Sequence, residues 1–207
     1  MGTKERKTDI YRKALLALNM RYDEIMREKE AYDALADKTG KTDPGTPLEK
    51  AYCDMFFDSS VTYCASLRPW SFLISHEEYN AGDITGETYK GYGYGYEKPY
   101  DMLRPYLVDG DGNADWAVDA DSIYFPEPIS RLDYVMDGFS NMTGTPALFD
   151  NLIASRLAVE IAPYLAPDTQ VTQRCAQQFQ LTLSSMADTD RHNQRTRIPK
   201  PEEYIGW

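Results

Sequence analysis

The stretch TPLEKAYCDMFFDSSVTYCASLRPW, residues 46–70, contains a helix together with its start and stop signals. Residues 46–49 place a capping threonine, a proline at the first helical position and a capping-box glutamate in order, which is typical of a helix start. The helix should end at Leu67, because Arg68 precedes Pro69 and a residue before proline is disfavoured in helical geometry. We therefore predict one long helix, followed by a different kind of structure.

The apolar residues of this helix form two adjacent stripes. One stripe consists of Leu48, Tyr52, Met55, Phe56, Tyr63 and Leu67, and the other of Cys53, Phe57 and Cys64. A surface helix usually has a single apolar stripe, so two stripes predict a central core helix that is packed from two sides. The same stripes could instead make contacts between subunits, and the sequence leaves both alternatives open.

The character of the chain changes after this helix. From Trp70 to about Phe139, prolines, glycines, Asp-Gly pairs and short aromatic runs replace helical periodicity, as expected for short strands joined by turns. The candidate strands are YGYGYEKP, MLRPYLV, DWAVDAD, SIYFP and RLDYVMD.

Helical periodicity marks both ends of the chain. Near the N-terminus, a first helix should start near Thr8, and a charged second helix should stop at Gly40. Near the C-terminus, one helix should start at Thr145 and Pro146 and be ended by Pro163 and Pro167, and a last helix should run from Thr169 to about Ala187. The predicted fold is therefore α+β, with a helical bundle formed from both chain ends and an inserted antiparallel β subdomain. The bundle comprises residues 1–68 and 141–190, the β subdomain residues 69–140, and an extended C-terminal tail residues 191–207.

The run GYGYGY, residues 91–96, is not a dinucleotide-binding fingerprint, because Tyr96 stands where that pattern needs glycine and Pro99 follows closely. On a strand, the period of two places its three tyrosines on one side and its glycines on the other. We predict a packing face for the β subdomain that consists of Trp70, Tyr92, Tyr94 and Tyr96. The glycine side would allow another backbone to approach closely; an aromatic ligand-binding face is the alternative.

Composition disfavours several classes of function. The 207 residues include 22 basic and 33 acidic ones, for a net charge of −11, and such a surface repels nucleic acid. No apolar run approaches the roughly 18–20 residues of a membrane span, and the N-terminus lacks the apolar segment of a signal peptide. We expect a globular protein made in the cytoplasm that does not bind membranes.

The sequence offers no metal site and no disulfide pattern. Cys53, Cys64 and Cys175 have no C-x-x-C spacing, and the first two would lie roughly 16 Å apart on one helix, so we interpret all three as small buried hydrophobic residues. His76 and His192 stand alone. We predict no metal and no cofactor.

DGDGNADW, from Asp109, resembles the start of a calcium loop. It has Ala114 at the sixth position, where such a loop requires glycine, and Ala120 at the twelfth, where it requires glutamate. A hairpin turn is the favoured interpretation. Because no nucleophile, zinc or phosphate motif occurs either, we predict no catalytic residue and no enzyme.

The C-terminus, RHNQRTRIPKPEEYIGW, combines a basic run with an apolar end. Pro199 and Pro201 argue against a helix here. The cost of ordering the segment and the gain from burying its apolar end nearly cancel, so a frayed terminus and a docking arm remain the two alternatives. The candidate docking residues are Arg191, Arg195, Arg197, Tyr204, Ile205 and Trp207.

The order of these segments resembles the tail tubular protein A family, the head-to-tail adaptors of short-tailed bacteriophages. The resemblance covers roughly residues 8–190 and depends on motif order and spacing. The matching motifs are YRKALLALN, LRPWSF, YGYGYEKPYDMLRPYLV, DWAVDADSIYF, RLDYVMD and PALFDNLIASRLAVEIA. The chain departs from the family between Asn19 and Pro47, where a charged insertion replaces a short turn.

The resemblance implies a structural virion protein without catalytic residues. Members of the family form a dodecameric ring between the portal protein and the tail nozzle protein, of the tail tubular protein B type, and DNA passes through the lumen without specific binding. The charged insertion could face tail fibres or a neighbouring subunit. Two rivals are a carbohydrate- or host-surface-binding module that uses the Tyr- and Trp-rich segment, and an acidic glycan hydrolase.

Overall fold

The computed structural model describes residues 3–39, 46–86, 88–137 and 145–197, with the side chains of residues 3, 32, 34–39 and 193–197 excepted. It confirms the α+β class, with five α-helices and two small three-stranded antiparallel sheets in the described ranges. The chain divides into two compact units, Met1–Cys64 with Thr143–Trp207 and Ala65–Met142. The predicted subdomain boundaries were 68/69 and 140/141.

The first unit contains the helices. They are α1 (Thr3–Ala17), α2 (Tyr22–Thr39), α3 (Leu48–Ser66), α4 (Ala147–Leu165) and α5 (Thr169–Arg197). Helix α1 contacts both α2 and α4, and α4 contacts α5, so segments from the two ends of the sequence pack directly on each other. Tyr11 of α1 meets Phe57 of α3 edge to face, with ring centroids 5.6 Å apart.

A part-buried ion pair joins α1 to the start of α4. The Arg6 guanidinium donates from Nε to both Asp150 carboxylate oxygens at 2.9 and 2.8 Å, and it also donates to the Thr145 carbonyl at 3.0 Å and to the Thr145 hydroxyl oxygen. Pro146 occupies the N-cap position without a side-chain cap, and α4 begins at Ala147. The helix therefore begins directly after the predicted Thr145–Pro146 start, and Thr145 accepts hydrogen bonds from Arg6.

Helix α4 ends between its two predicted stops, Pro163 and Pro167, whereas helix α5 runs further than the sequence predicted. Helix α4 passes through Pro163, because a proline in the last turn removes only one helical hydrogen bond, and the Ala166 amide still donates to the Ala162 carbonyl at 2.9 Å. Helix α5 continues to Arg197. The extended tail predicted for residues 191–207 is therefore wrong over 191–197, where no residue breaks the helix; residues 198–207 lie outside the described residues.

The second unit contains the strands. They are β1 (Ile74–Glu78), β2 (Tyr94–Glu97), β3 (Met102–Val108), β4 (Ala117–Val118), β5 (Ser122–Phe125) and β6 (Arg131–Met136). One sheet has the order β1-β6-β3 and the other β2-β5-β4, with every neighbouring pair antiparallel. Pro105 lies on β3, an edge strand with register shifts, which is where a sheet tolerates proline.

One cluster of buried side chains forms the core of the β unit. Its members are Tyr79, Tyr96, Val108, Ile123, Phe125, Ile129, Leu132 and Tyr134. Tyr96 is central, since its ring lies 4.7 Å from that of Tyr79 and 6.0 Å from that of Phe125. Its hydroxyl oxygen accepts a hydrogen bond from the Ile129 amide at 3.0 Å. This bond satisfies a buried backbone donor that would otherwise be costly.

Candidate interaction surfaces

The predicted tyrosine packing face is divided among three environments. Tyr96 lies in the core of the β unit, and Tyr94 packs against that core while remaining partly exposed. Tyr92 precedes the strand, and its hydroxyl donates to Asp115 at 2.9 Å on the surface. Trp70 is fully buried and stacks on Phe72 with ring centroids 6.0 Å apart, outside the tyrosine cluster.

A tight turn explains why Tyr92 leaves the predicted strand. Lys90 and Gly91 have φ angles of 51° and 94°, and Tyr89 pairs with Tyr92 across them. Two consecutive left-handed residues favour glycine and make a hairpin turn. The space beside Gly91 and Gly93 is open to 4 Å. The expected close approach of another backbone is therefore wrong at these two glycines.

Only one of the predicted docking residues of the C-terminus has a described side chain. Arg191 is exposed on α5 and pairs with Asp188 at 3.4 Å. Arg195 and Arg197 belong to the helix by backbone, while their side chains, and all of Tyr204, Ile205 and Trp207, lie outside the described residues. The docking-arm hypothesis for the chain end stays a prediction.

The calcium-like segment forms a turn. Asp109 and Gly110 have φ angles of 47° and 87°, and the amides of Val108 and Asp111 each donate to the other's carbonyl at 2.9 and 2.8 Å. The Asp109 carboxylate accepts hydrogen bonds from the Ser130 and Arg131 amides. The hairpin turn is confirmed. Within the described ranges, no three His, Cys, Asp or Glu side chains are grouped so that they could hold a metal ion.

None of the three cysteines forms a disulfide and all three are buried, which confirms their interpretation as small apolar side chains. Burial raises the pKa of both the Cys53 and the Cys64 thiol to about 12. It also raises the pKa of Cys175. Thiols with such pKa values stay protonated and unreactive at neutral pH.

Helix α3 buries only one of its two apolar stripes. Cys53, Phe57 and Cys64 are each 0% exposed. On the other stripe, Leu48 is 60% and Met55 67% exposed. The prediction of a central helix packed from two sides is therefore wrong for the N-terminal half of α3. The sequence of α3 thus carries two apolar stripes, but the folded subunit buries only one of them.

The exposed stripe joins α4 in an apolar surface, which we call the α3–α4 patch: Leu48, Tyr52, Met55, Phe56 and Tyr164. The Tyr164 ring stacks on those of Tyr52 and Phe56, with centroids 5.0 and 5.5 Å apart, and Tyr164 is itself 55% exposed. A contiguous exposed group of large apolar side chains on a globular unit marks an interaction site.

A groove lies elsewhere on the same unit, and we call it the α1–α5 groove. Two adjoining pockets of about 480 and 360 Å³ share Lys13, Ala17 and Gln178. The exposed side chains of Leu16 and Leu181 border them. The Arg174 guanidinium donates to the Ala17 carbonyl at 2.8 Å and so lies at the end of α1.

The β unit has a pocket of a different chemistry. This acidic pocket has a volume of about 510 Å³ and is lined by Glu77, Glu78, Tyr79, Asp83, Thr85, Glu97, Lys98, Pro99, Tyr100, Asp101 and Tyr134. The Lys98 ammonium donates to the Ala120 carbonyl at 2.6 Å. Burial raises the pKa of the Tyr134 phenol, whose hydroxyl donates to the buried Asp101 carboxylate at 3.0 Å.

Sequence reasoning found the stripe of α3 but missed its partners. Tyr164 lies seven residues after the buried Leu157 and therefore shares its side of α4, so the periodic pattern of that helix gave no signal that Tyr164 would be exposed. Leu181, in contrast, occupies a position of α5 that is out of phase with the buried Phe179 and Met186. Nothing in a periodic pattern tells which helices will border the same groove.

Comparison with protein-family models finds no match for this chain, and comparison with curated proteins finds none either. In the part of the chain that the structure describes, no helix combines the length and the apolar character that a membrane crossing needs.

Proposed function

We propose that this protein is a structural virion component, a head-to-tail adaptor that forms a homo-oligomeric ring between a portal protein and a tail nozzle protein. DNA would pass through the lumen of the ring. The order of the motifs between residues 8 and 190, which resembles the tail tubular protein A family, suggests this role. In the proposed architecture the helices of both chain ends form a bundle, and the β unit is an insertion.

The observation that carries the proposal is the α3–α4 patch. Five large apolar side chains lie on one surface, and Met55 and Leu48 have more than half of their area in water. Such a surface marks an interaction site, and a ring subunit needs a contact surface for each of its two neighbours. The patch therefore supports an assembly role over that of a solitary enzyme.

The charge of the chain fits a channel for DNA. A net charge of −11 repels the phosphate backbone, so that DNA would slide through the lumen without binding. The ring would be dodecameric by the family resemblance, and the charged α2 could face tail fibres or a neighbouring subunit.

The test is negative-stain electron microscopy of the purified full chain, alone and mixed with the portal protein of the same phage. We expect rings of the chain, or an added layer beneath the portal ring, and class averages would give the symmetry. Single subunits in both samples would contradict the adaptor role.

A second candidate function is carbohydrate binding by the β unit. The acidic pocket favours it, because carboxylates and tyrosine rings are the groups that hold sugar hydroxyls and sugar faces, and Tyr100 at the pocket is 89% exposed. A glycan-binding screen of the full chain, with Tyr100→Ala as the pocket variant, distinguishes the two functions. Binding that this variant abolishes would favour the recognition module, and an empty screen would reject it.

A further inference from the structure

We propose that the α3–α4 patch of one copy of this chain docks on the α1–α5 groove of a second copy, in a head-to-tail contact. The inference rests on the proposed ring, since it names the two surfaces that would join neighbouring subunits. Both surfaces belong to the helical unit, so every copy carries one of each.

The two surfaces lie on opposite sides of α4. Leu148 borders the groove and Tyr164 belongs to the patch. Tyr164 follows Leu148 by 16 positions, and at about 100° per residue this step places the two side chains about 160° apart around the helix axis. A subunit with complementary surfaces on opposite sides joins a neighbour on each side, which is what a ring or a filament requires.

The shapes of the two surfaces are complementary. The patch projects the flexible Met55 side chain and the Tyr164 ring, which are 67% and 55% exposed. The groove offers two adjoining pockets, bordered by the exposed Leu16 and Leu181 side chains. Docking would remove all four side chains from water, and burial of apolar area is the main driving force of association.

The charges of the two surfaces are also complementary. Lys13 and Arg174 line the groove, and no carboxylate is among the described residues that line it. On α3, Glu49 borders the α3–α4 patch on one side and Asp58 borders it on the other. In the part of the chain that the structure describes, none of these four charged side chains, the two cations of the groove and the two carboxylates beside the patch, makes an ion pair. On a chain of net charge −11, a groove with two cations favours an acidic partner such as the rim of this patch.

A patch-to-patch contact would give a different assembly. Two copies related by a two-fold axis would bury the patch twice and leave the groove open, and association would stop at the dimer. The head-to-tail contact uses both surfaces in every copy, so loss of either surface must stop assembly. This difference makes the two arrangements separable by mutation.

The experiment uses two full-length variants, Met55→Lys in the patch and Leu181→Lys in the groove. Each places a charge in the proposed contact, and we expect each to weaken self-association by at least about tenfold in analytical ultracentrifugation. Both positions are mostly exposed in the subunit, so thermal melting of dilute, dissociated chains, followed by circular dichroism, should match that of the wild type under the same conditions. Gln180→Lys, an exposed neighbour on the other side of α5, is the matched control and should assemble normally.

Mixing the two variants provides the decisive result. Met55→Lys keeps an intact groove and Leu181→Lys keeps an intact patch, so an equimolar mixture should form one-to-one dimers and nothing larger. Native mass spectrometry of differently labelled chains measures this directly. Normal assembly of Leu181→Lys would overturn the inference, and so would a mixture without heterodimers or a wild-type chain that stays monomeric at the highest soluble concentration.

The outcomes also separate this inference from the proposed function. Rings that bind the portal and persist in both variants would leave the adaptor role standing and reject the pairing of these surfaces. Assembly that depends on both surfaces, without binding to a portal, would support the pairing and reject the adaptor role.

Discussion

The two faces of helix α3 have the same kind of residues and opposite environments. Phe57 and Cys53 are completely buried by the rest of the helical unit, while Met55 and Leu48, on the other face, are mostly exposed. An apolar side chain gains free energy whenever it leaves water, whether its own chain or another chain covers it. Apolar periodicity therefore predicts that a face will be covered, and the structure tells which face the chain covers by itself.

The largest expected difference between the two faces comes from a matched pair of phenylalanines. Phe57→Ala should lower the free energy of unfolding by about 3–5 kcal/mol, because it leaves a cavity beside Tyr11 in a site with no exposure. Phe56→Ala, one residue away on the half-buried face, should cost about 1–2 kcal/mol through lost contact with Tyr164. Urea denaturation of each variant measures both values, and equal losses would show that the faces do not differ.

The helix pair α1 and α4 allows a second comparison, between a part-buried and an exposed ion pair. Arg6→Met should cost about 2–3 kcal/mol, since it leaves the Asp150 carboxylate, 13% exposed, without its guanidinium partner. Arg12→Met removes pairs with Asp9 and Asp23 on the surface of the same unit and should cost between 0 and about 1 kcal/mol.

Thermal or urea unfolding of both arginine variants provides the test. The substitution is the same in each, and both side chains start on α1, so the comparison isolates the effect of burial. If Arg12→Met lowered the free energy of unfolding as much as Arg6→Met, burial would not explain the strength of the Arg6 ion pair.

The sequence predicted those elements whose ends carry a strong local signal. Helix α3 lies within two residues of its predicted start and one of its predicted end, because capping residues and the Arg68–Pro69 pair act locally. Strand β1 was not predicted. Its last three residues, His76, Glu77 and Glu78, are polar and exposed, so this segment lacks the apolar and polar alternation that marks a strand in the sequence. The continuation of α5 to Arg197 was not predicted, because Pro199 and Pro201 disfavour a helix at their own positions and directly before them but not at residues 191–197.

The candidate surfaces were predictable only in part. The stripe of α3 follows from spacing along one helix, so the sequence contains it. The stacking of Tyr164 on that stripe depends on how α3 and α4 cross, and the meeting of Lys13 with Leu181 at one groove depends on how α1 and α5 pack. Crossing geometry comes from the packing of whole helix surfaces, which no single periodic pattern records.

A smaller effect is expected at Asp54, at the edge between the two faces of α3. Burial alone would raise the pKa of its carboxyl, but hydrogen bonds from Lys50 and Tyr11 outweigh it and hold the pKa below its usual value. A carboxyl with a lowered pKa in the folded state adds stability above its unfolded pKa, near 3.9, and this contribution is lost as the pH falls through the folded pKa.

The Asp54→Asn variant measures this contribution. Its deficit relative to the wild type should be below about 1 kcal/mol at pH 7, because the side chain is 41% exposed, and it should shrink as the pH is lowered from 5 to 3. Urea midpoints at several pH values give the comparison. A deficit that grows towards pH 3 would mean that the carboxyl is destabilised by its surroundings, contrary to the direction of the pKa shift.

The smallest expected effect belongs to Met55→Ala. With 67% of the side chain in water, its removal should change the free energy of unfolding by no more than about 0.5 kcal/mol, and the better helix propensity of alanine partly offsets the lost contacts. The measurement must be made on dilute, dissociated chains, since assembly would add its own stabilisation. A loss of 2 kcal/mol or more in the monomer would mean that the subunit already covers this stripe, and the proposed docking surface would then not exist. A loss that appears only at concentrations where the wild type associates would place the same side chain in a contact between copies. The concentration dependence of one conservative variant thus decides whether the second stripe of α3 belongs to the core or to an interface.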